Sequence, residues 1–289
     1  MKKKYDNPVV ILAGGLGTRL REETQFRPKP MVPVGGRPIL WHIMKYYAHF
    51  GFYRFVICLG YKGEMIKDYF LQYRLQGVDI TINTKSGSII EHQVNDEEWE
   101  VTLVNTGLTN QTGSRVAQIS HYIDTDEFLL TYGDGICNAN IAKLFDFHKG
   151  HGKMATLLGV SPLPRFGNLQ IENSRVSNFL EKKPFEAEWV NGGFFVLNRA
   201  VFDYCSAAPE TVFEKDILPV LAVDGQLMVY KHDNFWHCMD TMRDQEHLEE
   251  LWQANKAPWK VWNDEHIFKP AKKISAFIKG KPSDQVTSF

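Results

Sequence analysis

A glycine-rich turn with one arginine follows the first apolar run of the sequence. Glycine has no Cβ, so the backbone amides of such a turn can approach a phosphate closely. The arginine can add a bidentate contact to the same phosphate. The turn lacks the third glycine of a dinucleotide-binding loop and the Gly-Lys-Ser/Thr of a P-loop, so an ordinary strand-to-helix turn stays an alternative. It consists of Leu12, Ala13, Gly14, Gly15, Leu16, Gly17, Thr18 and Arg19.

A lysine between two prolines lies just downstream of this turn. Pro28 and Pro30 restrict the backbone around Lys29, so we expect a stiff, extended segment. A lysine held in this way beside a glycine-rich turn is suited to neutralising the charge of a triphosphate. A solvated lysine in a proline-rich loop is the alternative interpretation.

The segments around these residues predict an α/β fold. Short β-branched runs alternate with stretches whose apolar residues recur at helical spacing, which is typical of a parallel, doubly wound sheet. Ligands of such sheets bind outside the carboxyl ends of the strands, where the glycine-rich turn falls. From residue 165 to 197, short strands separated by turns predict an antiparallel excursion. The other predicted strands are residues 9–13, 55–59, 101–104, 128–132 and 155–160, and the predicted helices are 38–50, 62–75, 141–149, 212–223 and 243–254.

Composition and charge argue against several function classes. The 289 residues include 33 Lys+Arg and 34 Asp+Glu, a net charge of -1, so the basic excess of nucleic-acid-binding proteins is missing. No apolar run approaches the roughly 18 residues of a membrane span. We therefore expect neither a nucleic-acid partner nor a membrane partner. The four cysteines are widely scattered and form no CxxC pair, which favours free thiols and a cytoplasmic location.

Longer motifs resemble one known family. The glycine-rich turn, followed by Pro28-Lys29-Pro30-Met31, resembles the signature of the sugar-phosphate nucleotidyltransferases, also called NDP-sugar pyrophosphorylases. Further matches between about residues 9 and 262 narrow the resemblance to members that use CTP and α-D-glucose 1-phosphate. Among these matches are Gly60-Tyr61-Lys62-Gly63, Thr131-Tyr132-Gly133-Asp134-Gly135, Asn191-Gly192-Gly193-Phe194-Phe195-Val196 and Met239-Asp240-Thr241.

The resemblance implies a fold and a reaction. The fold is a three-layer α/β/α sandwich with a mixed, mostly parallel sheet, the Rossmann-like fold of nucleotide-diphospho-sugar transferases. In the reaction, an oxygen of the sugar phosphate attacks the α-phosphorus of CTP in line, giving CDP-glucose and pyrophosphate. Arg19 and Lys29 would stabilise the charge. Asp134 and Asp240 match the family's ligands for Mg²⁺, the implied cofactor. Taken alone, Asp134 is also compatible with a simple Asp-Gly turn, and Asp240 with a capping or loop carboxylate.

The resemblance also assigns residues to the two substrates. The positions matched to the nucleotide, besides the glycine-rich turn and Lys29, are Asn110, Arg115 and Gly133. An exposed helical arginine is the alternative for Arg115. The positions matched to the sugar phosphate are Gly167, Glu181, Lys182 and Asn191. Lys183 stands where the family usually has proline, so either Lys182 or Lys183 stays open as the phosphate partner.

The domain organisation follows from the same resemblance. A catalytic domain is expected at residues 1–262, with a nucleotide-binding part at about 8–160 and a sugar-binding part at about 161–262. Residues 263–289 form a C-terminal extension. A homo-oligomer is expected, because the family is often oligomeric. Two alternatives stay open: the same reaction with another sugar 1-phosphate or another nucleotide such as UTP or dTTP, and a catalytically inactive regulatory subunit that binds a nucleotide sugar.

Overall fold

The central element of the fold is a seven-stranded mixed sheet. The computed structural model describes residues 3–95, 97–162, 168–181, 189–263 and 268–270. The strands are β1 (Val9–Leu12), β2 (Arg54–Leu59), β3 (Glu100–Asn105), β4 (Glu127–Tyr132), β5 (Ala155–Val160), β6 (Val190–Asn198) and β7 (Leu227–His232). Across the sheet the strand order is β7-β5-β6-β4-β1-β2-β3. Strand β6 runs antiparallel to its neighbours β4 and β5, and the other pairs in this sheet are parallel. The predicted mixed, mostly parallel sheet is therefore confirmed.

In the described residues, five helices connect these strands and a sixth follows β7; five of the six lie close to predicted helices, and α3 was not predicted. They are α1 (Ile39–His49), α2 (Gly63–Gln72), α3 (Thr112–Gln118), α4 (Ile141–His151), α5 (Leu218–Val223) and α6 (Met242–Gln253). The predicted helix 212–223 begins with one π-helical turn, Phe213–Ile217, before α5. Shorter helical turns are Thr18–Leu20, Arg21–Thr24, Lys29–Met31, Tyr73–Leu75, Ser120–Tyr122 and Arg199–Tyr204.

Helical elements pack on both faces of the sheet. Successive side chains of a strand point to opposite faces, so Phe194 and Phe195 of β6 report on the two sides. The Phe194 ring stacks on Tyr47 of α1, at 6.2 Å between centroids. The Phe195 ring meets Phe213 of the π-turn edge-on at 5.7 Å. All four aromatic side chains are buried, and this arrangement confirms the predicted α/β/α layering.

Short antiparallel pairs lie outside the central sheet. The predicted antiparallel excursion is confirmed by a hairpin of Asn168–Glu172 with Arg175–Leu180, and by the antiparallel β6. Two further short pairs are Pro33–Val34 with Arg37–Pro38 and Gly135–Cys137 with Trp236–Cys238. The last of these, called the ribbon below, brings two distant parts of the chain together.

The chain divides into two compact units. The first comprises Met1–Lys67 and Trp99–Trp262 and holds the central sheet. The second comprises Asp68–Glu98 and Asn263–Phe289, and it contains the pairs Ile80–Ile82 with Ile89–Glu91 and Gln93–Asn95 with Phe268–Pro270. Residues 264–267 and 271–289 of the predicted C-terminal extension lie outside the described residues. Within the described part of the chain, no helix has both the length and the apolar character needed to span a bilayer.

Candidate active site

The glycine-rich turn leaves the sheet at the carboxyl end of β1. The Ala13 amide donates to the Cys58 carbonyl at 3.0 Å, and the Gly133 amide donates to the Leu12 carbonyl at 3.1 Å. These bonds join the ends of β1, β2 and β4, so the turn opens at the edge where ligands of such sheets bind. Gly17 has a φ of 63°, a left-handed conformation that favours glycine, and a Cβ there would lie 2.6 Å from the Thr24 methyl group.

Arg115 of α3 fixes the floor of this turn. Its guanidinium donates to the Gly14 carbonyl at 3.1 Å, the Leu59 carbonyl at 3.0 Å and the Gly107 carbonyl at 2.9 Å. The residue is 4% exposed, so the alternative of an exposed helical arginine is wrong. A Cβ on Gly14 would lie 2.2 Å from a guanidinium nitrogen. The buried cation therefore ties three loops together beneath the turn, and glycine is needed where it approaches.

The ribbon brings the two predicted metal ligands together. Asp134 lies directly before the first ribbon strand, and Asp240 lies two residues after the second. Gly135 pairs with Cys238 in the ribbon, and the Met239 amide donates to the Asp134 carbonyl at 2.9 Å. As a result, ligand atoms of Asp134, Cys238 and Asp240 all lie within 4.8 Å of one another. The structure therefore brings the two candidate metal ligands to one position.

Helix α6 fixes the position of Asp240. Thr241 is the N-cap of α6, and it forms a reciprocal capping box with Asp244. The Asp244 carboxylate also accepts from the Asp240 amide at 3.1 Å. Burial by itself raises the pKa of Asp244, but hydrogen bonds from Thr241 and the charge of the nearby His237 outweigh this effect and leave the pKa lowered. The residue that precedes the helix is thus locked by the cap rather than left in a free loop.

Two cations of the turn region meet these carboxylates. The Lys29 ammonium lies 2.5 Å from an Asp134 oxygen and 2.7 Å from an Asp240 oxygen, and Arg19 lies 2.7 Å from the other Asp240 oxygen. Burial by itself lowers the pKa of Lys29, but the two carboxylates, Asp134 above all, reverse this effect and leave the pKa raised. Lys29 is therefore protonated and shared between both aspartates.

The backbone at Lys29 differs from the predicted extended segment. Pro28 is extended, with ψ of 150°, but Lys29–Met31 forms a 3-10 turn closed by a bond from the Met31 amide to the Pro28 carbonyl at 2.8 Å. Pro30 lies inside this turn, where its fixed φ fits and its missing amide is not needed. The segment is constrained as expected, and the tight turn carries the lysine toward the aspartates.

A cavity of about 490 Å³ opens above the turn. It is lined by most of the residues that the sequence singles out, from the glycine-rich turn, Lys29, Asn110, Arg115 and Gly133 to Asp134, Asn191 and Asp240. Leu16 and Glu181 do not line it, and the Leu16 side chain is 53% exposed. Gly167 and Lys182, like Lys183, lie outside the described residues. One cavity thus joins the predicted nucleotide positions to Asn191, a predicted sugar position.

The cavity wall also contains residues that the sequence analysis does not assign to the site. Tyr132 and Cys238 each lie two residues before one of the aspartates, so the motifs around Asp134 and Asp240 could have indicated them. Burial, followed by the charge of Glu214, raises the pKa of the Tyr132 hydroxyl. Burial, with a smaller contribution from Asp134, raises the pKa of the Cys238 thiol. Both are therefore neutral groups near pH 7. All four cysteines are free thiols, as predicted.

The donor atoms at the aspartates suit a hard divalent cation. Two carboxylates that face one cavity are the usual protein contribution to a Mg²⁺ site shared with substrate phosphates. The neutral Cys238 thiol lies beside them, and Lys29 holds a single positive charge at the position between the two oxygens. The two carboxylates thus already hold one positive charge, the Lys29 ammonium, between them. Their oxygens therefore fit the implied metal ion.

Comparison with known proteins identifies the family. Residues 8–264 match the sequence profile of the nucleotidyl transferase family. The chain belongs to this family. A glucose-1-phosphate cytidylyltransferase of Salmonella typhi is 49% identical over 254 residues, which cover 88% of this chain and 98% of the relative. A probable glucose-1-phosphate cytidylyltransferase of Bacillus subtilis is 42% identical over 253 residues, covering 88% and 99%. The predicted family is confirmed.

A solved structure supports the fold. HddC from Yersinia pseudotuberculosis superposes with a TM-score of 0.63 at 24% identity, covering 85% of this chain and 99% of that one. The likeness at this identity shows the shared fold of the sheet and its helices. The predicted Rossmann-like fold of nucleotide-diphospho-sugar transferases is confirmed by it.

Proposed function

We propose that this nucleotidyltransferase makes CDP-glucose and pyrophosphate from CTP and α-D-glucose 1-phosphate. The observation that carries the proposal is the meeting of Lys29, Arg19, Asp134 and Asp240 at the open side of the glycine-rich turn. The 49% identical relative that bears this activity in its name supports the choice of substrates. Both substrates are anionic and small, in keeping with a cavity walled by backbone amides and two cations.

The backbone of the turn would bind the triphosphate. Amides of a tight, Cβ-free turn form a nest for phosphate oxygens, and Arg19 and Lys29 add charge to the same place. One oxygen of the sugar phosphate then attacks the α-phosphorus, and the bond from that phosphorus to the bridging oxygen of the β-phosphate breaks, so pyrophosphate leaves. No side chain of the protein needs to act as a nucleophile. The residues contribute position and charge stabilisation.

Asp134 and Asp240 would hold the metal, which we propose to be Mg²⁺. Enzymes of this family generally use a divalent metal, and when bound it neutralises charge on phosphate oxygens. The Lys29 ammonium contacts both carboxylates. If the aspartates held the ion, this ammonium would be free to contact phosphate oxygens of the substrate.

Asn110, Arg115 and Gly133 are proposed to contact the nucleotide, and Asn191 the sugar phosphate. Asn110 donates to the Thr106 carbonyl at 2.7 Å, which leaves its amide oxygen for a ligand. Asn191 is held by its bond to the Gly193 amide at 2.9 Å. Glu181 and Lys182 stay proposed partners of the sugar phosphate. We also propose residues 1–262 as the catalytic domain, a homo-oligomeric assembly, and a cytoplasmic location in which the four free thiols stay reduced.

Pyrophosphate release from a panel of substrates tests the proposal. CTP, UTP, dTTP and GTP are each paired with glucose 1-phosphate and mannose 1-phosphate in the presence of Mg²⁺. We expect the fastest release with CTP and glucose 1-phosphate. Asp240→Asn, which keeps the shape but removes the charge, should lose at least about 100-fold in kcat.

Two outcomes would overturn the proposal. Release with UTP, or with another sugar phosphate alone, would assign a different substrate pair. Binding of nucleotides by calorimetry, with no release from any pair, would favour the inactive regulatory subunit.

A further inference from the structure

Glu214 does not line the cavity itself but contacts the hydroxyl groups of two residues that do. One of its carboxylate oxygens accepts a short hydrogen bond from the Tyr132 hydroxyl. The other accepts from the Thr112 hydroxyl at 2.7 Å. Tyr132 and Thr112 both line the cavity. A single carboxylate therefore holds two positions of the wall that are 20 residues apart along the chain.

The hydrogen bonds around Glu214 have a fixed direction. A carboxylate only accepts, so both hydroxyl protons must point toward Glu214. The Thr112 oxygen also accepts from the Phe213 amide at 2.9 Å, and the Tyr132 oxygen accepts from the Asn191 side-chain amide at 3.2 Å. The single proton of each hydroxyl is thus already donated to Glu214. Toward any ligand in the cavity, each can act as an acceptor but not as a donor.

The local backbone makes this arrangement rigid. Glu214 belongs to the π-turn Phe213–Ile217, and π-turns occur frequently at functional sites. Phe213 and Ile217 on either side of it are fully buried. The Val212 amide at the start of the turn donates to Asp216 at 2.6 Å. These contacts anchor the backbone that carries Glu214, and the two hydroxyl bonds hold its carboxylate in place.

Thr112 lies on the part of the wall assigned to the base. It is the first residue of α3, between Asn110 and Arg115, the two proposed nucleotide contacts on this segment, and all three line the cavity. Cytosine carries an amino group at the position where uracil carries a carbonyl oxygen. A hydroxyl that can only accept forms a hydrogen bond with the amino group of cytosine. It cannot bond the carbonyl oxygen of uracil, because both atoms are acceptors and no proton lies between them.

We propose that Glu214 is a positioning residue for nucleotide selection, which holds the Thr112 hydroxyl as an acceptor for the amino group of cytosine. This inference deepens the proposed function and rests on it for the assignment of the base-binding wall. Glu214 itself does not touch the ligand. Its bond to Tyr132 has a second consequence, because it orients the phenol oxygen that receives the Asn191 amide, and so links the base side of the cavity to the sugar side.

Nucleotide affinities separate this role from a structural one. We would measure the Kd of CTP and of UTP by calorimetry, with Mg²⁺ and without sugar phosphate, so that no turnover occurs. Glu214→Ala frees the Thr112 proton to turn toward the cavity, where it can meet the uracil oxygen. The ratio of the UTP Kd to the CTP Kd should fall about tenfold, the effect of about one hydrogen bond. Glu210→Ala, an exposed glutamate that does not line the cavity, is the matched control and should keep the wild-type ratio.

Thr112→Val completes the test. It removes the hydroxyl and leaves the carboxylate in place, so the ratio should fall about as far as in Glu214→Ala, and the double variant should fall no further. If Glu214→Ala does not fold, Glu214→Leu, which removes both acceptor oxygens and keeps the volume of the side chain, takes its place. A ratio within twofold of wild type in the Glu214 variant or in Thr112→Val, or a wild type that binds UTP as tightly as CTP, would overturn the inference. Failure of the proposed function would be seen in a different experiment, in which the wild type releases no pyrophosphate from CTP and glucose 1-phosphate.

Discussion

Replacing Lys29 with methionine should destabilise the metal-free protein far more than the Mg²⁺-loaded protein. The side chains of Asp134 and Asp240 are 20% and 14% exposed, and the Lys29 side chain is 12% exposed. Removing one partner of a buried ion pair costs about 3–5 kcal/mol. Arg19 still reaches Asp240, and both carboxylates keep some contact with water. We therefore expect a loss at the lower end, about 3 kcal/mol.

Thermal melting in EDTA and in 10 mM Mg²⁺ measures this effect. For a chain of this size, about 3 kcal/mol corresponds to about 6 °C in Tm. In EDTA the Lys29→Met protein should melt lower than wild type by that amount. In Mg²⁺ the gap should shrink to about 2 °C or less, because the ion takes over the charge that the ammonium balanced. Lys67→Met removes an exposed pair with Glu64 and should not move either Tm by more than about 1 °C.

Two results would refute the reasoning. An unchanged Tm in EDTA would mean that the ion pairs of Lys29 contribute nothing to stability. A gap of the same size in EDTA and in Mg²⁺ would mean that the two carboxylates do not share a divalent ion. The second result would remove the basis of the proposed catalytic centre while leaving the fold untouched.

The glycine-rich turn and the buried histidines give two further predictions. Gly14→Ala should lower the free energy of unfolding by about 1–3 kcal/mol and weaken CTP binding, because the new Cβ would collide with Arg115. Gly15→Ala is the control and should melt like wild type, because a Cβ there meets nothing within 4 Å. Equal Tm values for the two variants would contradict this prediction. Burial lowers the pKa of His42 to about 4 from an ordinary 6.5, so its stabilisation is complete above pH 6.5 and is lost as the pH falls toward 4, by about 3 kcal/mol. His42→Gln should reduce the loss of unfolding free energy between pH 6.5 and pH 4 by that amount, leaving the part due to His148, whose pKa is also about 4. Urea titrations at several pH values measure this free energy. The same dependence on pH in wild type and variant would contradict the prediction.

The sequence predicted six of the seven strands of the central sheet, because these strands are largely apolar runs; β7, which ends in Lys231 and His232, was not predicted. Strand β1 and strand β5 fall within one residue of the predicted bounds, since a run buried on both faces leaves little choice of structure. The helix 141–149 was predicted two residues short, because Gly152 in a left-handed conformation, rather than Gly150, ends it. Local patterns of this kind contain the information that sets an element and its end.

The candidate site was predictable only where a motif surrounds the residue. Asp134 and Asp240 lie in motifs that resemble a family, whereas no local pattern distinguishes Glu214 from any other exposed-looking glutamate. Its function arises from contacts with Tyr132 and Thr112, which are 82 and 102 residues away along the chain. The prolines at Lys29 pointed to a constrained backbone but not to its conformation, because a fixed φ is compatible with both an extended chain and a 3-10 turn.

The ribbon that joins Asp134 to Asp240 has a consequence for synthesis of the protein. Lys29 and Asp240 are 211 residues apart, and the second ribbon strand, Trp236–Cys238, comes late in the chain. A nascent polypeptide still attached to the ribosome can already contain the turn and its lysine, yet it has only one of the two carboxylates. A fragment that stops before residue 240 would therefore contain the lysine and one aspartate but not the carboxylate pair, and we expect it to lack the proposed metal site.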